Sequence, residues 1–563
     1  MWQQRSPVRF TCEKAPANGR SVVVTNHPMG TAAGLEVLAA GGNAVDAAVA
    51  ALLALTVVEP MMVGIAGGGI SHVRLPDGRH HVVDAMSTAP GATHASVFEP
   101  VSDEPARRME TVGRRSAYGP TAVAVPGNLL GWERLSREHG SMPFADLVAP
   151  AIRLAEGGFR VTDYLAGAVA ECAEDIAADP VMASVFLPGG APIAVGTVLR
   201  QPGYGESLRL IAAEGAAALH GGALGAELVA RIAAAGEASG WLSEVDLAGF
   251  EAVRREPIVG RYRGYEVVGP PPPASSGVHV TQMLNMMELA DVAGLGFGTP
   301  EGLDLMLRVM GRAMADRAAA SGDPAFVDVP VERYTSKAYA KACFEALAAG
   351  ARGAAPAPES ANTTHVTVAD KDGMMVSATH TINGIFGARF MVPGAHFIPN
   401  NYMMNFDPHP GRALSVAPGK RVPTSMAPMI LARDGAPVAA LGLPGGIRIF
   451  TSAFQAIVNL IDHQMTPQEA VEAPRVWTDG HAVEVEAGFG SGTVDALVAR
   501  GHAAKSVPTV GGGMSMITVE EGARLTGAAC WRADGTVGAL AGGLARPGVR
   551  FVPGHRTAPV SRV

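Results

Sequence analysis

Apolar and polar stretches divide the first part of the chain into one strand and two helices. Residues 21–25 form a short apolar run rich in β-branched side chains, which predicts a buried strand. The spacing of small and apolar residues predicts a helix over Thr31–Ala40 that ends at Gly41-Gly42. A second apolar helix is predicted to run to about Val58, where Glu59-Pro60 stops it.

Short strands alternating with helices are predicted to about residue 350, which favours a layered α/β or α+β domain. A clear change of composition follows at Ala348–Asn362, which is rich in Ala, Gly and Pro and is typical of a flexible, cleavable surface loop. A Gly445-Gly446 pair is predicted to open an apolar helix that continues through Phe454. The strands predicted after Thr363 span residues 364–369, 374–379, 428–432 and 438–442.

The composition indicates a large globular chain. Of the 563 residues, 48% are apolar and 17% are charged, which is sufficient for an extensive core. The net charge is −8, and no basic cluster interleaved with aromatic residues is present, so we expect no nucleic-acid partner. The four cysteines lie far apart in the sequence and form neither a metal-binding motif nor a disulfide framework.

The location predicted from the sequence is the cytoplasm. The N-terminus has no apolar export signal. The longest apolar stretch, Ala47–Val58, is too short to span a bilayer and is bracketed by Asp46 and Glu59, so no membrane association is expected. If a signal peptide had been removed from the N-terminus, the expected location would be the periplasm.

The segment Asn362-Thr363-Thr364 carries the strongest candidate chemistry. If the peptide bond before Thr363 is cut, that residue gains a free amine beside its own hydroxyl, and so combines nucleophile and base. An α-amino group has an unperturbed pKa of about 7.7–8.0, so it can accept the hydroxyl proton near neutral pH. The alternative is that Thr363 and Thr364 simply open a β-strand, which threonine favours.

Other motifs each have a simpler structural explanation. The Gly67–Gly69 run lacks the Lys-Ser/Thr of a phosphate-binding loop and indicates close backbone packing. His80-His81 has no third ligand at a suitable spacing, so no metal site is expected. Thr424-Ser425 places two hydroxyls in a proline-restrained turn, and the backbone amides at Gly445-Gly446 could hold an oxyanion. Taken singly, each of these last two segments is explained by a turn.

Taken together, the segments resemble the γ-glutamyltransferase family of N-terminal-nucleophile hydrolases over nearly the whole chain. The resemblance implies an α+β fold, a four-layer αββα sandwich. It also implies self-cleavage into residues 1–362, the large subunit, and residues 363–563, the small subunit, which associate as a heterodimer and form one interwoven domain. The motifs that carry it are Gly41-Gly-Asn-Ala-Val-Asp-Ala-Ala, Gly67-Gly-Gly, Ser275-Ser-Gly, Thr363-Thr-His, Thr381-x-Asn383, Asn400-Asn401, Thr424-Ser425-Met, Pro444-Gly-Gly and Ala470-Val-Glu-Ala-Pro-Arg475.

The resemblance also implies roles for individual residues. Thr363 would be the nucleophile, its new amine would be the base, and Thr381 would hydrogen-bond to the nucleophile. The backbone amides of Gly445 and Gly446 would form the oxyanion hole, and no cofactor is implied. The residues implied to contact the acyl group are Asn383, Thr424 and Ser425.

Three positions depart from the pattern of the family's transferases, which hold the glutamyl α-carboxylate with an Arg and the α-amino group with an acidic residue. Met86 stands at the Arg position and Asn405 at the acidic position, while Tyr402 stands where Gln is usual. Both ends of this clamp are therefore neutral, and each lost charge-assisted bond is worth roughly 1.5–3 kcal/mol. Arg389 could supply a replacement cation; the alternative is a surface arginine near the mouth of the pocket.

These departures resemble the cephalosporin acylase branch of the family, which removes glutaryl-type side chains. A glutaryl group is a glutamyl group without its amine, which suits the neutral residue Asn405. Our first hypothesis is a self-processing amidohydrolase that cleaves a small-molecule N-acyl amide through an acyl-Thr363 intermediate. The alternatives are a γ-glutamyltransferase or glutathione hydrolase that holds its substrate differently, and an unprocessed relative that only binds.

Overall fold

The computed structural model describes residues 12–104, 107–236, 239–350 and 362–541. Most of the predicted cleavable loop, residues 351–361, therefore lies outside the described residues. The strands are β1 Ala17–Gly19, β2 Ser21–Thr25, β3 Gly68–Arg74, β4 His80–Asp84, β5 Phe159–Arg160, β6 Val198–Leu199, β7 Val253–Arg255, β8 Ile258–Tyr262, β9 Tyr265–Gly269, β10 Thr364–Ala369, β11 Met375–Thr381, β12 Met429–Arg433, β13 Ala436–Gly442, β14 Val476–Thr478, β15 Ala482–Glu486, β16 Ala503–Val507, β17 Ser515–Val519, β18 Leu525–Ala529 and β19 Thr536–Leu540. The α-helices are α1 Pro28–Ala39, α2 Ala44–Val58, α3 Asn128–His139, α4 Phe144–Gly157, α5 Asp163–Glu171, α6 Ala173–Ala178, α7 Pro180–Phe186, α8 Pro202–Glu214, α9 Ala223–Ala233, α10 Glu244–Ala248, α11 Ser276–Met287, α12 Val292–Leu295, α13 Pro300–Ala319, α14 Val331–Thr335, α15 Lys337–Ala348, α16 Ile449–Ile461, α17 Pro467–Glu472 and α18 Ser491–Ala499.

Two seven-stranded antiparallel sheets pack face to face between layers of helices. The first sheet has the strand order β19-β2-β10-β11-β3-β4-β7, and α1 and α2 pack on its outer face. The second has the order β1-β18-β17-β13-β12-β9-β8, and α11, α16 and α17 pack against it. This arrangement confirms the predicted αββα sandwich.

Each sheet contains strands from both sides of residue 363. In the first sheet, β10 lies between β2 and β11, and β19 pairs with the other edge of β2. The second sheet likewise joins β1, β8 and β9 to strands that follow residue 363. A break before Thr363 would therefore leave two fragments that share both sheets.

The layer between the sheets changes from apolar to polar towards the start of β10. Its apolar part includes Val22, Val24 and Ile517. His365 projects from β10 onto Gly442 of β13, where a methyl group would lie 2.1 Å from the imidazole Cε1. The imidazole Nδ1 lies 2.8 Å from the Thr379 hydroxyl. Hydrogen-bonding side chains thus lie between the sheets near the predicted nucleophile.

The structure closely confirms five predicted strands and corrects two other predictions, which concern the first helix and the alternation of strands with helices. The strands predicted over 21–25 and 364–369 have these bounds, and those predicted for β11, β12 and β13 shift by one or two residues at their ends. The first helix begins earlier, at Pro28, because His27 caps it by accepting the Met29 amide at 3.1 Å. The predicted alternation with strands is wrong between residues 128 and 248, where the described elements are helices apart from the short β5 and β6 pair.

We predict that the buried His365 makes stability depend on pH. Burial, together with the neighbouring His380, lowers the pKa of His365 to about 3, whereas an unfolded histidine titrates near 6.5. The contribution of neutral His365 is therefore fully present above about pH 6.5 and is lost as the pH falls below it, by about 2 kcal/mol at pH 5. The unfolding-temperature difference between wild type and His365→Gln should shrink from pH 7.5 to 5. A constant difference would contradict the prediction.

Candidate active site

Thr363 is buried directly before β10, and its hydroxyl faces the carbonyl group of the preceding residue. The side chain is 4% exposed, and Oγ1 donates to the Asn362 carbonyl oxygen at 2.5 Å. Thr381, at the end of β11, donates from its own Oγ1 to the same oxygen at 2.8 Å. Two hydroxyls therefore meet at the carbonyl of the predicted cleavage site, an arrangement that polarises this carbonyl towards nucleophilic attack.

Sheet geometry explains why these two threonines meet. In the β10–β11 ladder Thr364 pairs with His380, so Thr363 and Thr381 come next on the two strands. Successive side chains on a strand point to opposite faces. Thr364 accordingly bonds to Glu59 on the helix-facing side, while His365 projects between the sheets. By this alternation Thr363 shares the inner face with His365.

Asn383 lies in a tight turn directly after β11. Its φ of 80° is in the left-handed region that asparagine tolerates better than most residues. Its backbone N–H donates to Thr381 Oγ1 at 2.7 Å, and its side-chain Nδ2 donates to the Asn401 carbonyl at 3.2 Å. The amide of Gly384 in turn donates to Asn401 Oδ1 at 2.7 Å. The turn therefore links Thr381 to the segment that carries Tyr402 and Asn405.

The triple-glycine segment provides close approach, as predicted. A methyl group on Gly67 would lie 2.1 Å from the carbonyl oxygen of Thr381, so the backbones meet only because no side chain separates them. Gly68 pairs with Thr381 in the β3–β11 ladder, and its carbonyl accepts the Tyr402 hydroxyl at 3.2 Å. Tyr402 is thereby placed beside the strand end that holds Thr381.

Met86 and Tyr402 are buried together in an apolar cluster. Met86 is fully buried, and its sulfur lies 3.9 Å from the Tyr402 hydroxyl. Asn405, in the short helix Tyr402–Asn405, is 6% exposed, and its Oδ1 has no hydrogen-bond partner among the described residues. The apolar residues of this cluster include Ile70, Val82, Phe98, Met403, Phe406, Val422 and Met426. Met86 and Asn405, which stand at the two clamp positions, therefore carry no charge, and their surroundings are mostly apolar.

Thr424 and Ser425 are both buried in an extended segment held by backbone bonds. The Thr424 carbonyl accepts the Ser275 amide at 2.9 Å, and its own amide donates to the Pro273 carbonyl at 3.2 Å. Thr424 Oγ1 accepts the Met426 amide at 3.2 Å. The Ser275 segment, recognised as a motif in the sequence, thus packs directly against the Thr424-Ser425 segment.

Gly445 and Gly446 form the turn between β13 and α16, as predicted for a helix opening. Their φ values are 136° and 56°, in the region that favours glycine. A methyl group on Gly445 would lie 2.7 Å from the Cα of Gly511. Gly442, which ends β13, packs against His365, two residues beyond Thr363. This register brings the Gly-Gly turn to the end of the sandwich at which β10 begins.

Arg389 contacts Asp175 and Tyr118. Its guanidinium ion-pairs with Asp175 of α6 and lies 4.1 Å from the ring centroid of Tyr118. Among the described residues, these contacts do not join it to the cluster of Met86 and Tyr402. Its role as a replacement cation stays a prediction.

Two residues of the site were not identified from the sequence. The Arg421 guanidinium donates to the Met86 carbonyl at 2.9 Å and lies 3.8 Å from Asp84, which fixes the backbone of Met86. Glu59, noted only as a helix stop, is a buried carboxyl whose Oε2 accepts the Thr364 hydroxyl at 2.6 Å. Neither has a local sequence signal, because both reach the site from distant parts of the chain.

The adjacent histidines His80 and His81 bond to other side chains. His80 lies 2.9 Å from His72, and His81 lies 2.9 Å from His139, measured between ring nitrogens. Within the described ranges, no group of three or more His, Cys, Asp or Glu side chains is arranged to hold a metal ion. Among the same residues, no helix is long and apolar enough to cross a membrane.

Comparison with known proteins agrees with this geometry. The family model described as gamma-glutamyltranspeptidase matches residues 30–540. The Acylase ACY 1 proenzyme of Pseudomonas sp. (strain SE83) is 56% identical over 551 residues, covering 96% of this chain and 98% of that protein. The glutathione hydrolase proenzyme of Escherichia coli (strain K12) is 33% identical, covering 87% of each chain. The crystal structure of the cephalosporin acylase from Bacillus halodurans superposes with a TM-score of 0.84 at 28% identity, covering 96% of this chain and 100% of that one.

The fold and the site define an N-terminal-nucleophile type of amidohydrolase. The chain belongs to the gamma-glutamyltranspeptidase family. The sequence-based resemblance, including its similarity to the acylase branch, is therefore confirmed. The predicted roles of individual residues and the predicted cytoplasmic location stay predictions.

We predict that Gly445→Ala lowers the rate of acyl transfer on the order of 10²-fold, because a distorted turn would misplace one of the proposed oxyanion donors. The added methyl group conflicts with Gly511 and with the positive φ. Gly435→Ala is the matched control, because Gly435 also has a positive φ (77°) but lies in a turn where an added methyl group would meet open space. Equal losses in the two variants, measured by initial rate, would argue against a role for the Gly445 amide.

Proposed function

We propose that this protein is a self-processing acylase with Thr363 as its N-terminal nucleophile. The observation that carries the proposal is the meeting of the Thr363 and Thr381 hydroxyls at the Asn362 carbonyl oxygen, at 2.5 and 2.8 Å. The similarity to an acylase proenzyme over nearly the whole chain supports it.

In the proposed self-cleavage, Thr363 Oγ1 adds to the carbonyl carbon of Asn362. The proton lost from Oγ1 passes to the Thr363 nitrogen as the C–N bond breaks, which leaves a free amine and an ester between the Asn362 acyl group and Oγ1. Water hydrolyses this ester, which releases Asn362 as a carboxylate and leaves Thr363 with a free hydroxyl and a free amine. Thr381 stabilises the developing oxyanion because its hydroxyl already donates to this oxygen.

In the proposed turnover, the free amine of Thr363 accepts the hydroxyl proton while Oγ1 attacks the acyl carbonyl of the substrate amide. The amides of Gly445 and Gly446 hold the oxyanion, and the Thr363 ammonium protonates the departing amine. Water then hydrolyses the acyl-threonine ester. Asn383, Thr424 and Ser425 line the acyl side of the site, and residues 1–362 and 363–563 remain associated through their shared sheets.

Self-cleavage should depend on the Thr363 hydroxyl. We expect wild type to give two fragments on a denaturing gel, roughly 37 and 20 kDa in proportion to their lengths, with the smaller one beginning at Thr363. Thr363→Ala should stay a single chain, whereas Thr363→Ser should still cleave because it keeps the hydroxyl. An uncut wild-type chain would contradict the proposal and favour a relative that only binds.

We propose further that the acyl group lacks the α-amino group of a glutamyl residue. Met86 and Asn405 offer no charge to a zwitterion, and Met86 is packed against Tyr402 in an apolar cluster. An unpaired charge placed against such a surface is costly. A glutaryl-type or other non-amino acyl chain fits this neutral pocket better. The second candidate, a glutathione hydrolase, is favoured only by relatives such as the E. coli enzyme at 33% identity.

Replacing Asn405 with Asp should shift the substrate preference. A carboxylate at this position adds a charge-assisted bond to an α-ammonium group, worth at least about 1.5 kcal/mol. We expect the ratio of kcat/KM for a γ-glutamyl anilide to that for the matching glutaryl anilide to rise about tenfold. The two substrates differ only by the amine, so each variant serves as its own control. An unchanged ratio would mean that Asn405 does not face the acyl chain.

A further inference from the structure

A single turn after α2 holds both strand ends that flank the nucleophile. Glu59 caps α2, and its carboxyl accepts the Thr364 hydroxyl at 2.6 Å. Three residues later, the Met62 carbonyl accepts the Ile382 amide at 3.0 Å and lies 3.1 Å from Thr381 Oγ1, whose single proton is donated to Asn362. The start of β10 and the end of β11 are therefore attached to the same short segment.

Glu59 sits where a negative charge is poorly stabilised. The side chain is 1% exposed, and no ion pair joins it to another described residue. The titratable groups that face it are Asp534, on the loop before β19, and Tyr164, on α5. Before the chain is cut, neither of these groups can neutralise a carboxylate. Burial, with a smaller contribution from Asp534, raises the pKa of Glu59 to about 8 against the hydrogen bond from Thr364, which lowers it.

We infer that Glu59 is a positioning residue for Thr363 that works only in its protonated, uncharged form. The neutral carboxyl and the Thr364 hydroxyl form a buried hydrogen-bonded pair that fixes the first residue of β10, and with it the backbone that carries the nucleophile. This inference rests on the proposed function, because it assigns Glu59 to the same reaction.

Ionisation of Glu59 would disturb the reaction in two ways. A carboxylate one residue from the nucleophile would favour the ammonium form of the Thr363 amine, which cannot accept a proton. It would also repel the oxyanion that forms during acyl transfer. Activity should therefore fall on the alkaline side of the Glu59 pKa, by roughly tenfold for each further pH unit. On the acid side, activity rises as the amine of Thr363 loses its proton.

The test is the pH dependence of kcat for a glutaryl anilide, with each variant normalised to its own maximum between pH 6 and 10. Wild type should give a bell-shaped profile. Glu59→Gln cannot ionise, so its alkaline limb should disappear and leave a simple rise. Glu472→Gln is the matched control, because Glu472 is also a buried carboxyl with a raised pKa but bonds to the amides of Glu13 and Lys14. Its profile should follow wild type.

An alkaline limb that persists in Glu59→Gln would overturn the inference. Asp534→Asn gives an independent check: removing a charge that raises the pKa of Glu59 should move the limb to lower pH. A limb that does not move, or that moves upward, would contradict the assignment. If wild type neither cleaves itself nor turns over an anilide, the proposed function fails first, which the gel shows separately.

Thermal unfolding tests the protonation state without using activity. A carboxyl whose pKa rises on folding stabilises the fold fully below its unfolded pKa, near 4.5, and loses that contribution as the pH rises to about 8. Glu59→Gln should therefore gain unfolding temperature relative to wild type as the pH increases from 5 to 8. A difference that does not change with pH would mean that Glu59 is ionised in the folded protein, and the inference would be wrong.

Discussion

The position of Thr363 depends on the pairing of β10 between β2 and β11. A central strand has its backbone bonded on both sides, so its first residues are fixed in space once the sheet forms. Thr363 directly precedes this strand, and Thr381 ends the neighbouring one. The hydroxyl of Thr381 and the carbonyl of Asn362 therefore meet through sheet register and not through flexible loops. Any shift by one residue would turn Thr363 to the helix-facing side.

Polar groups at this end of the sandwich are tied to one another across the sheet and its helices. The turn after Glu59 holds Thr364 and Thr381, and the turn at Asn383 holds Asn401. Buried polar groups are costly when unpaired, so such a connected set stabilises one arrangement of the site over others. Through these hydrogen bonds Glu59, at the end of α2, lies close to Thr363 although the two residues are far apart in the sequence.

The surroundings of Met86, Tyr402 and Asn405 lack the paired charges that a binding site for a zwitterionic amino acid needs. Met86 and Tyr402 lie in one buried, largely apolar cluster, Asn405 is neutral, and Arg389 is paired with Asp175. The positive charge of Arg421 lies behind the Met86 backbone and close to Asp84. Such surroundings are costly for a zwitterion, whose charges would lose their hydration without full compensation. This cost supports the proposed preference for an acyl chain without an ammonium group.

The sequence by itself determined the family, the sandwich and the strands beside Thr363, because their patterns are local: apolar runs, glycine pairs and a Thr-Thr step before alternating residues. It also showed that positions 86 and 405 are neutral. The tertiary structure alone decided that Thr381 meets the Asn362 carbonyl, that Arg389 pairs with Asp175, and that Glu59 reaches Thr364. These contacts join residues far apart in the chain, and hydrogen bonding and burial at such distances leave no periodic signal in a single sequence. The predicted strand alternation failed between residues 128 and 248 for the same reason, since contacts between elements distant in the chain, such as those of α4 with α2 and α8, leave no local signal.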